Sequence, residues 1–189
     1  DVRVSTLSRY PEVFTMEECS EDEDELWNGL KEALEGAFSQ FVEMRTKEGE
    51  RLKEDILLKL DLLSEQIRFI EERSPQIIAE YRTKLEEKMR ELLEDTQIDD
   101  NRIAAEVILF ADKICTDEEV VRLKSHIQHM KETLEESNGI GRKLDFIAQE
   151  MNRESNTILS KANDRTLSNI AIDLKTEIEK VREQIQNIE

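Results

Sequence analysis

The chain has 189 residues, of which 38% are charged and 5% aromatic, with five glycines, two prolines and a formal net charge of −18. A length of this order suits one domain, or one domain with an arm, and the scarcity of turn formers favours long helices over sheet. A field this negative repels nucleic acid and anionic membranes at long range, which excludes a general nucleic-acid binder and requires any phosphate partner to find a local basic site.

The opening DVRVSTLSRYPEVF alternates like a strand and stops at Pro11, which predicts a short extended segment. With Asp rather than Met at position 1, the opening reads as the tail of something larger. CSEDEDE, residues 19–25, packs five carboxylates into seven positions and predicts a solvated loop leading to a helix N-terminus. Trp27, Leu30, Leu34, Phe38, Phe41 and Met44 then recur at three and four, and Leu52, Ile56, Leu60, Leu63, Ile67 and Ile70 continue in heptads, so one long helix is expected to about Arg73.

Ser74-Pro75 predicts a new helix or a kink, carrying Ile78, Tyr81, Leu85, Met89 and Leu92 until the polar EDTQIDDN. Ile103, Val107, Phe110 and Ile114 mark a third helix. TDEE at Thr116–Glu119 predicts a capping box for a fourth, with Val120, Leu123, Ile127, Met130 and Leu134 on one side. ESNGIG reads as a loop. A helix from Gly141 gathers Leu144, Ile147, Ala148, Met151, Ile158, Leu159 and Ala162 on a core arc. A five-residue apolar step from Ala162 to Leu167 predicts a break at NDRT. Leu167, Ala171, Leu174, Ile178, Val181, Ile185 and Ile188 then form a coiled-coil seam. The fold class is therefore all-α: long antiparallel helices with coiled-coil-like packing and a short extended N-terminal segment.

No run approaches the roughly 20 apolar residues of a membrane span and no signal-peptide pattern opens the chain, so the expected place is the cytoplasm, without a membrane partner. Cys19 and Cys115 show no metal or CxxC spacing and are expected as free thiols, one in a loop and one near a helix junction.

The polar residues of the 141–164 helix are sorted. Arg142, Asp145, Gln149, Asn152, Arg153, Asn156, Ser160 and Asn163 flank the core arc on one side, and Lys143, Glu150, Glu154 and Lys161 on the other. Amides are mediocre helix formers, so the strip either contacts a ligand or fixes register against a neighbouring helix. Glu150 and Glu154, one turn apart, could hold a divalent cation with Arg or Lys holding a phosphodiester, or could be surface ion pairs. His126, near Glu119 and Arg122, could act as a general base. P-loop, dinucleotide-glycine, GxSxG and HExxH patterns do not occur.

GRKLDFIAQEMNRESNTILSKAND, followed by IDLKTEIEKVREQIQNIE, resembles the C-terminal signature of the YicC family of bacterial proteins, and EMRTKEGERL, RIAAEVILFADK and EEVVRLKSHI extend the likeness upstream. The resemblance implies a homo-oligomeric endoribonuclease that needs a divalent metal, Mg or Mn, with this chain as its C-terminal two-thirds: residues 1–20 a connector from a missing N-terminal domain and 21–189 the helical domain. A helical part carrying −18 lacks the steering field that RNA binding needs, so this chain alone is expected to be inactive or weakly active on RNA. By position it implies Asp145, Glu150, Glu154 and His126 as catalytic. It implies Arg122, Arg142, Lys143, Asn152, Arg153, Asn156 and Lys161 as RNA-holding, and Glu150, Glu154, Glu106 and Asp112 as metal ligands. Leu159, Lys113 and Cys115 depart from the family pattern, which has Gly, Arg and commonly an acid there. The alternative is a non-enzymatic helical scaffold that oligomerises through its seams.

Overall fold

The structure is a computed structural model that describes residues 3–14, 22–93, 100–136 and 139–188. Its elements are α1 (Val4–Leu7), α2 (Glu23–Leu93), α3 (Asp100–Ile114), α4 (Asp117–Thr133), α5 (Gly141–Lys161) and α6 (Arg165–Ile185), and the described residues contain no strand. The all-α class is as the periodicity requires. One local expectation fails: the alternating opening forms a single helical turn, Val4–Leu7, closed by Ser8 N–H donating to the Val4 carbonyl at 2.9 Å. With no neighbouring strand to pair with, four residues gain more from their own turn.

The chain divides into two compact units, Asp1–Lys47 and Glu48–Glu189. The first holds α1 and the opening part of α2. There Trp27, Leu30, Leu34, Phe38, Phe41 and Met44, the expected apolar stripe, are 41–71% exposed, and Leu26 beside them is exposed too.

In the second unit α2, α4, α5 and α6 form a four-helix arrangement, with α3 against the far part of α2, and its direction can be read from cross-helix contacts. Asp61 pairs with Lys131, and farther along α2 Glu71 pairs with Lys124, so α2 and α4 run antiparallel. Glu136 near the end of α4 pairs with Lys143 at the start of α5, whereas Glu119 at the start of α4 pairs with Lys161 at the end of α5. Asp145 meets Arg182 and Asn152 meets Glu179, which sets α5 against α6. Asp55 meets Gln184 and Arg73 meets Asp164, which closes the ring by setting α6 against α2. Inside lie Ile56, Leu60, Leu63, Ile67 and Ile70 of α2, Leu123 and Met130 of α4, Leu144 and Met151 of α5, and the whole α6 seam from Leu167 to Ile185. Short connections between antiparallel neighbours and heptad seams are the sequence features that produce such a bundle.

Helix α2 does not stop at Arg73. It continues through Pro75 to Leu93. Pro75 contributes no amide hydrogen to the ladder, and the Ser74 hydroxyl, expected to cap a new helix, donates to the Ile70 carbonyl at 2.9 Å. Beyond it Tyr81 stacks on Phe110 of α3, ring centroids 3.8 Å apart, so tertiary packing holds the continuation in helical form. Thr116 is the N-cap of α4 but makes no side-chain capping bond, and the expected capping box does not form because Glu119 is drawn away to Lys161. Gly139 turns the chain into α5 with φ +49°, a left-handed conformation suited to glycine. The break expected at NDRT is present: Asp164 caps α6 by accepting the Leu167 amide at 3.1 Å. Arg73 binds this same Asp164 and also Glu80, seven residues on and past Pro75. Cys115 is a free exposed thiol between α3 and α4, and Cys19 lies outside the described residues.

Candidate functional site

The residues singled out on α5 separate into three faces once the bundle forms. Toward α4 stand Glu150, Glu154 and Lys161. Arg122 of α4 reaches Glu154 at 3.3 Å while also holding Glu118, and Lys161 reaches Glu119 at 2.8 Å. Glu154 and Glu119 are buried carboxylates, 8% and 6% exposed, each facing a cation that remains partly in water. The bond to Glu154, with Glu118 adding its charge, raises the Arg122 guanidinium above its ordinary range, so it stays cationic. His126, one turn beyond Arg122, is half-buried.

Toward α6 stand Asp145 and Asn152. Asp145 takes Arg182 at 3.1 Å and the Gln149 amide at 2.6 Å, and the Asn152 amide donates to Glu179. These polar residues fix the register of α5 against α6, so the amide strip is structural at Asn152. Asp145 is thereby set on a different side of α5 from Glu150 and Glu154, and the four expected catalytic groups are not brought to one point.

Away from both neighbours, α5 exposes Arg142, Phe146, Arg153 and Asn156, which share one face of the helix with the half-buried Gln149 at alternating spacings of four and three. Phe146 is 62% exposed and the Arg153 side chain 71%. Arg153 is steadied by Glu150 at 2.5 Å through a single nitrogen, Nη1. Arg142 and Lys143 stand in the first turn of the helix, where no acid is present. Arg142 also lines a hollow of about 530 Å3 with Gly139, Gly141, Asp145 and the end of α6. Phe146 escaped sequence reasoning because every apolar residue near it was assigned to the core arc. Its place off that arc, between two arginines, was the available signal. Arg182 and Glu179 also escaped, since nothing local in the sequence links them to α5.

The four expected metal ligands are dispersed. Glu106 is exposed on α3, with the Tyr81 hydroxyl 3.5 Å away, and Asp112 is exposed on the same helix. Glu150 and Glu154 are engaged by Arg153 and Arg122. No group of three or more His, Cys, Asp or Glu side chains converges among the described residues. The donor set of a resident divalent cation is not assembled among the described residues: hard cations need several oxygens, Glu150 and Glu154 already face guanidinium groups, and Glu106 and Asp112 stand on α3. No helix among the described residues is long and apolar enough to cross a membrane.

Residues 70–189 match the family model described as endoribonuclease YicC-like, C-terminal, and residues 1–54 match endoribonuclease YicC-like, N-terminal region. The chain is 47% identical over 190 residues to the probable endoribonuclease YicC of Clostridioides difficile (strain 630), across all of this chain and 65% of that protein. It is 35% identical over 191 residues to the probable endoribonuclease YicC of Haemophilus influenzae (strain ATCC 51907 / DSM 11121 / KW20 / Rd), across all of this chain and 64% of that protein. The chain thus spans slightly less than two thirds of these relatives.

Proposed function

Because the chain belongs to the YicC-like endoribonuclease family, we propose that it is part of an endoribonuclease and that its α5 outer face holds single-stranded RNA. The observation that carries this reading is Phe146, an aromatic ring in water between Arg142 and Arg153 on one helical face. Unstacked bases gain about 1–3 kcal/mol by lying on such a ring, and guanidinium groups on either side match the phosphates that flank a base. Asn156 on the same face supplies an amide for base edges. This arrangement lets a chain of −18 bind RNA: the contact is local, and the overall field keeps it weak.

Cleavage is assigned to the junction of Arg153 and Glu150. In this reading the guanidinium stabilises charge developing on a phosphate held there, and the half-buried carboxylate accepts the proton of the attacking hydroxyl as the bond from phosphorus to the leaving oxygen breaks and that oxygen takes a proton from water. A divalent cation belongs to the family expectation, but the donors among the described residues do not gather to hold one, and neither role depends on it. The reading includes homo-oligomeric assembly and a cytoplasmic location.

Binding of labelled single-stranded RNA at low salt tests the site. Phe146→Ala and Arg153→Ala weaken binding while the melting temperature stays near the parent value, and Arg153→Ala also lowers the salt slope by about one. Met151→Ala, which empties a fully buried position, instead lowers stability by about 2–5 kcal/mol. If Arg153→Ala unfolds the protein as severely as Met151→Ala, or if neither surface variant changes RNA binding, the site is wrong.

A further inference from the structure

A hollow of about 700 Å3 lies in the second unit where α2 just past Arg73 meets the end of α3 and the junction into α4, and the reading above gives it no task. Its volume falls within the range of small-molecule pockets, about 300–1,000 Å3. Pro75 and Ile78 of α2, with Ile108, Ala111 and Ile114 of α3, give it apolar walls. Ile108 is 67% exposed, so part of that wall is wetted.

The polar lining selects what could enter. Thr116, in the turn between α3 and α4, is 1% exposed, and its hydroxyl neither caps α4 nor has another partner among the described residues. A hydroxyl buried in that state costs free energy that a bond from a ligand would recover. Ser74 donates its hydrogen to the Ile70 carbonyl and keeps lone pairs to accept with. Of the three carboxylates bordering the hollow, Glu71 is held by Lys124 at 2.6 Å. Asp112 and Asp117 face no cation within ion-pair distance among the described residues.

Among those residues no Lys, Arg or His borders the hollow. A phosphate would therefore meet like charge and no basic partner, which excludes nucleotides and the RNA of the α5 face. The complementary ligand carries hydrogen-bond donors and positive charge at one end of an apolar body.

We propose that this hollow binds a small organic cation of the alkylamine class, its ammonium among the Thr116 hydroxyl and the Asp112 and Asp117 carboxylates and its methylenes on Ile78, Ile108 and Ile114. An ammonium brings three donors, one for each of those side chains, and the methylenes displace water from apolar surface. The site shares no residue with the RNA face of α5, so either can fail without the other.

An amide NMR titration of the full chain with hexylammonium chloride tests the site, with methylammonium and hexanol as probes that lack the body or the charge. Hexylammonium shifts the amides of Ile78, Ile114, Thr116 and Asp117 saturably and leaves those of α5 in place. Methylammonium and hexanol bind at least about tenfold more weakly. Thr116→Val, which keeps the shape and removes the hydroxyl, raises the dissociation constant about tenfold, the worth of one hydrogen bond to a charged group. Asp112→Asn does the same, and because Asp112 is exposed on α3 it decides the matter if Thr116→Val does not fold. Asp173→Asn removes an exposed acid of α6 and leaves binding unchanged, which separates the site from the field of the whole chain. With Cys19→Ser as background, N-ethylmaleimide on the exposed Cys115 at the edge of the hollow abolishes the shifts. The proposal is overturned by the absence of saturable shifts, by hexanol binding as tightly as hexylammonium, or by Asp173→Asn weakening binding as much as Asp112→Asn. It is also overturned if Mg2+ shifts these amides and hexylammonium does not, which would mark a site for an inorganic cation.

Discussion

Lys161, the last residue of α5, donates to Glu119 in the first turn of α4 across 2.8 Å, and it is the cation that faces a carboxylate whose side chain is only 8% exposed. The second Glu119 oxygen is buried without a protein partner. A carboxylate in that position depends mainly on its bonded ammonium, with the Arg122 charge nearby adding to it, since water reaches it poorly and removing one partner of such a pair strands the other.

Lys161→Met is therefore expected to cost about 1–3 kcal/mol in urea unfolding, and adding Glu119→Gln to recover part of that loss, because an amide has no charge to compensate. The four-protein cycle measures the coupling directly. If Lys161→Met is as stable as the parent, Glu119 is compensated by solvent and the contact holds nothing together.

Asp164 predicts an acid limb of stability. Its carboxyl is held below the ordinary 3.8, chiefly by the bond from Arg73 and further by the Leu167 amide, with burial opposing. A depressed folded value means that the stabilisation is complete above the unfolded value and is lost as pH falls through the folded one, so the window lies below about pH 4. Asp55, held low mainly by Gln184, acts in the same direction. Melting temperatures taken across that range should fall less steeply for Asp164→Asn, which keeps a capping oxygen and removes the charge. Asp164→Ala should lose about 1 kcal/mol more at neutral pH through the cap itself. An unchanged acid slope in Asp164→Asn would show that other carboxylates govern it.

Pro75→Ala should raise the melting temperature. The residue is exposed and stands inside a continuous helix, where proline is less favourable than alanine by up to about 3 kcal/mol. The gain will be smaller to the extent that the structure has already adapted, through the Ser74 hydroxyl and the Tyr81–Phe110 stack. A fall in melting temperature would mean that the bundle uses the bend a proline imposes.

Periodicity made the bundle legible because burial repeats at the helix period: every seam residue expected in α6 from Leu167 to Ile185 is buried. It could not show that α2 passes Pro75, since the local cost there is met by α3, which lies beyond a connection of no regular pattern. Nor could it show that Glu154, sorted onto a polar flank, is 8% exposed. Its burial is set by Arg122, 32 residues away in sequence. The charged and amide residues of α5 were visible as a group, but their division between α4, α6 and solvent depends on which neighbours pack, and composition carries no record of that. The stripe from Leu26 to Met44 shows the same limit in reverse, being plain as a pattern and silent about its occupant.

Arg73 carries a consequence for motion. Its guanidinium donates to both Glu80 oxygens, at 2.6 and 2.9 Å, and to both Asp164 oxygens, at 3.3 and 3.4 Å. One side chain thus spans the proline from the residue before Ser74 to the turns after it, and ties both to the cap of α6. These segments cannot open independently, because fraying either releases the same cation from the other. Amide protons around Ile77 and those in the first turn of α6 should exchange with solvent as one cooperative unit, slower than the rest of α2 beyond it, although 91 residues of chain separate Arg73 from Asp164.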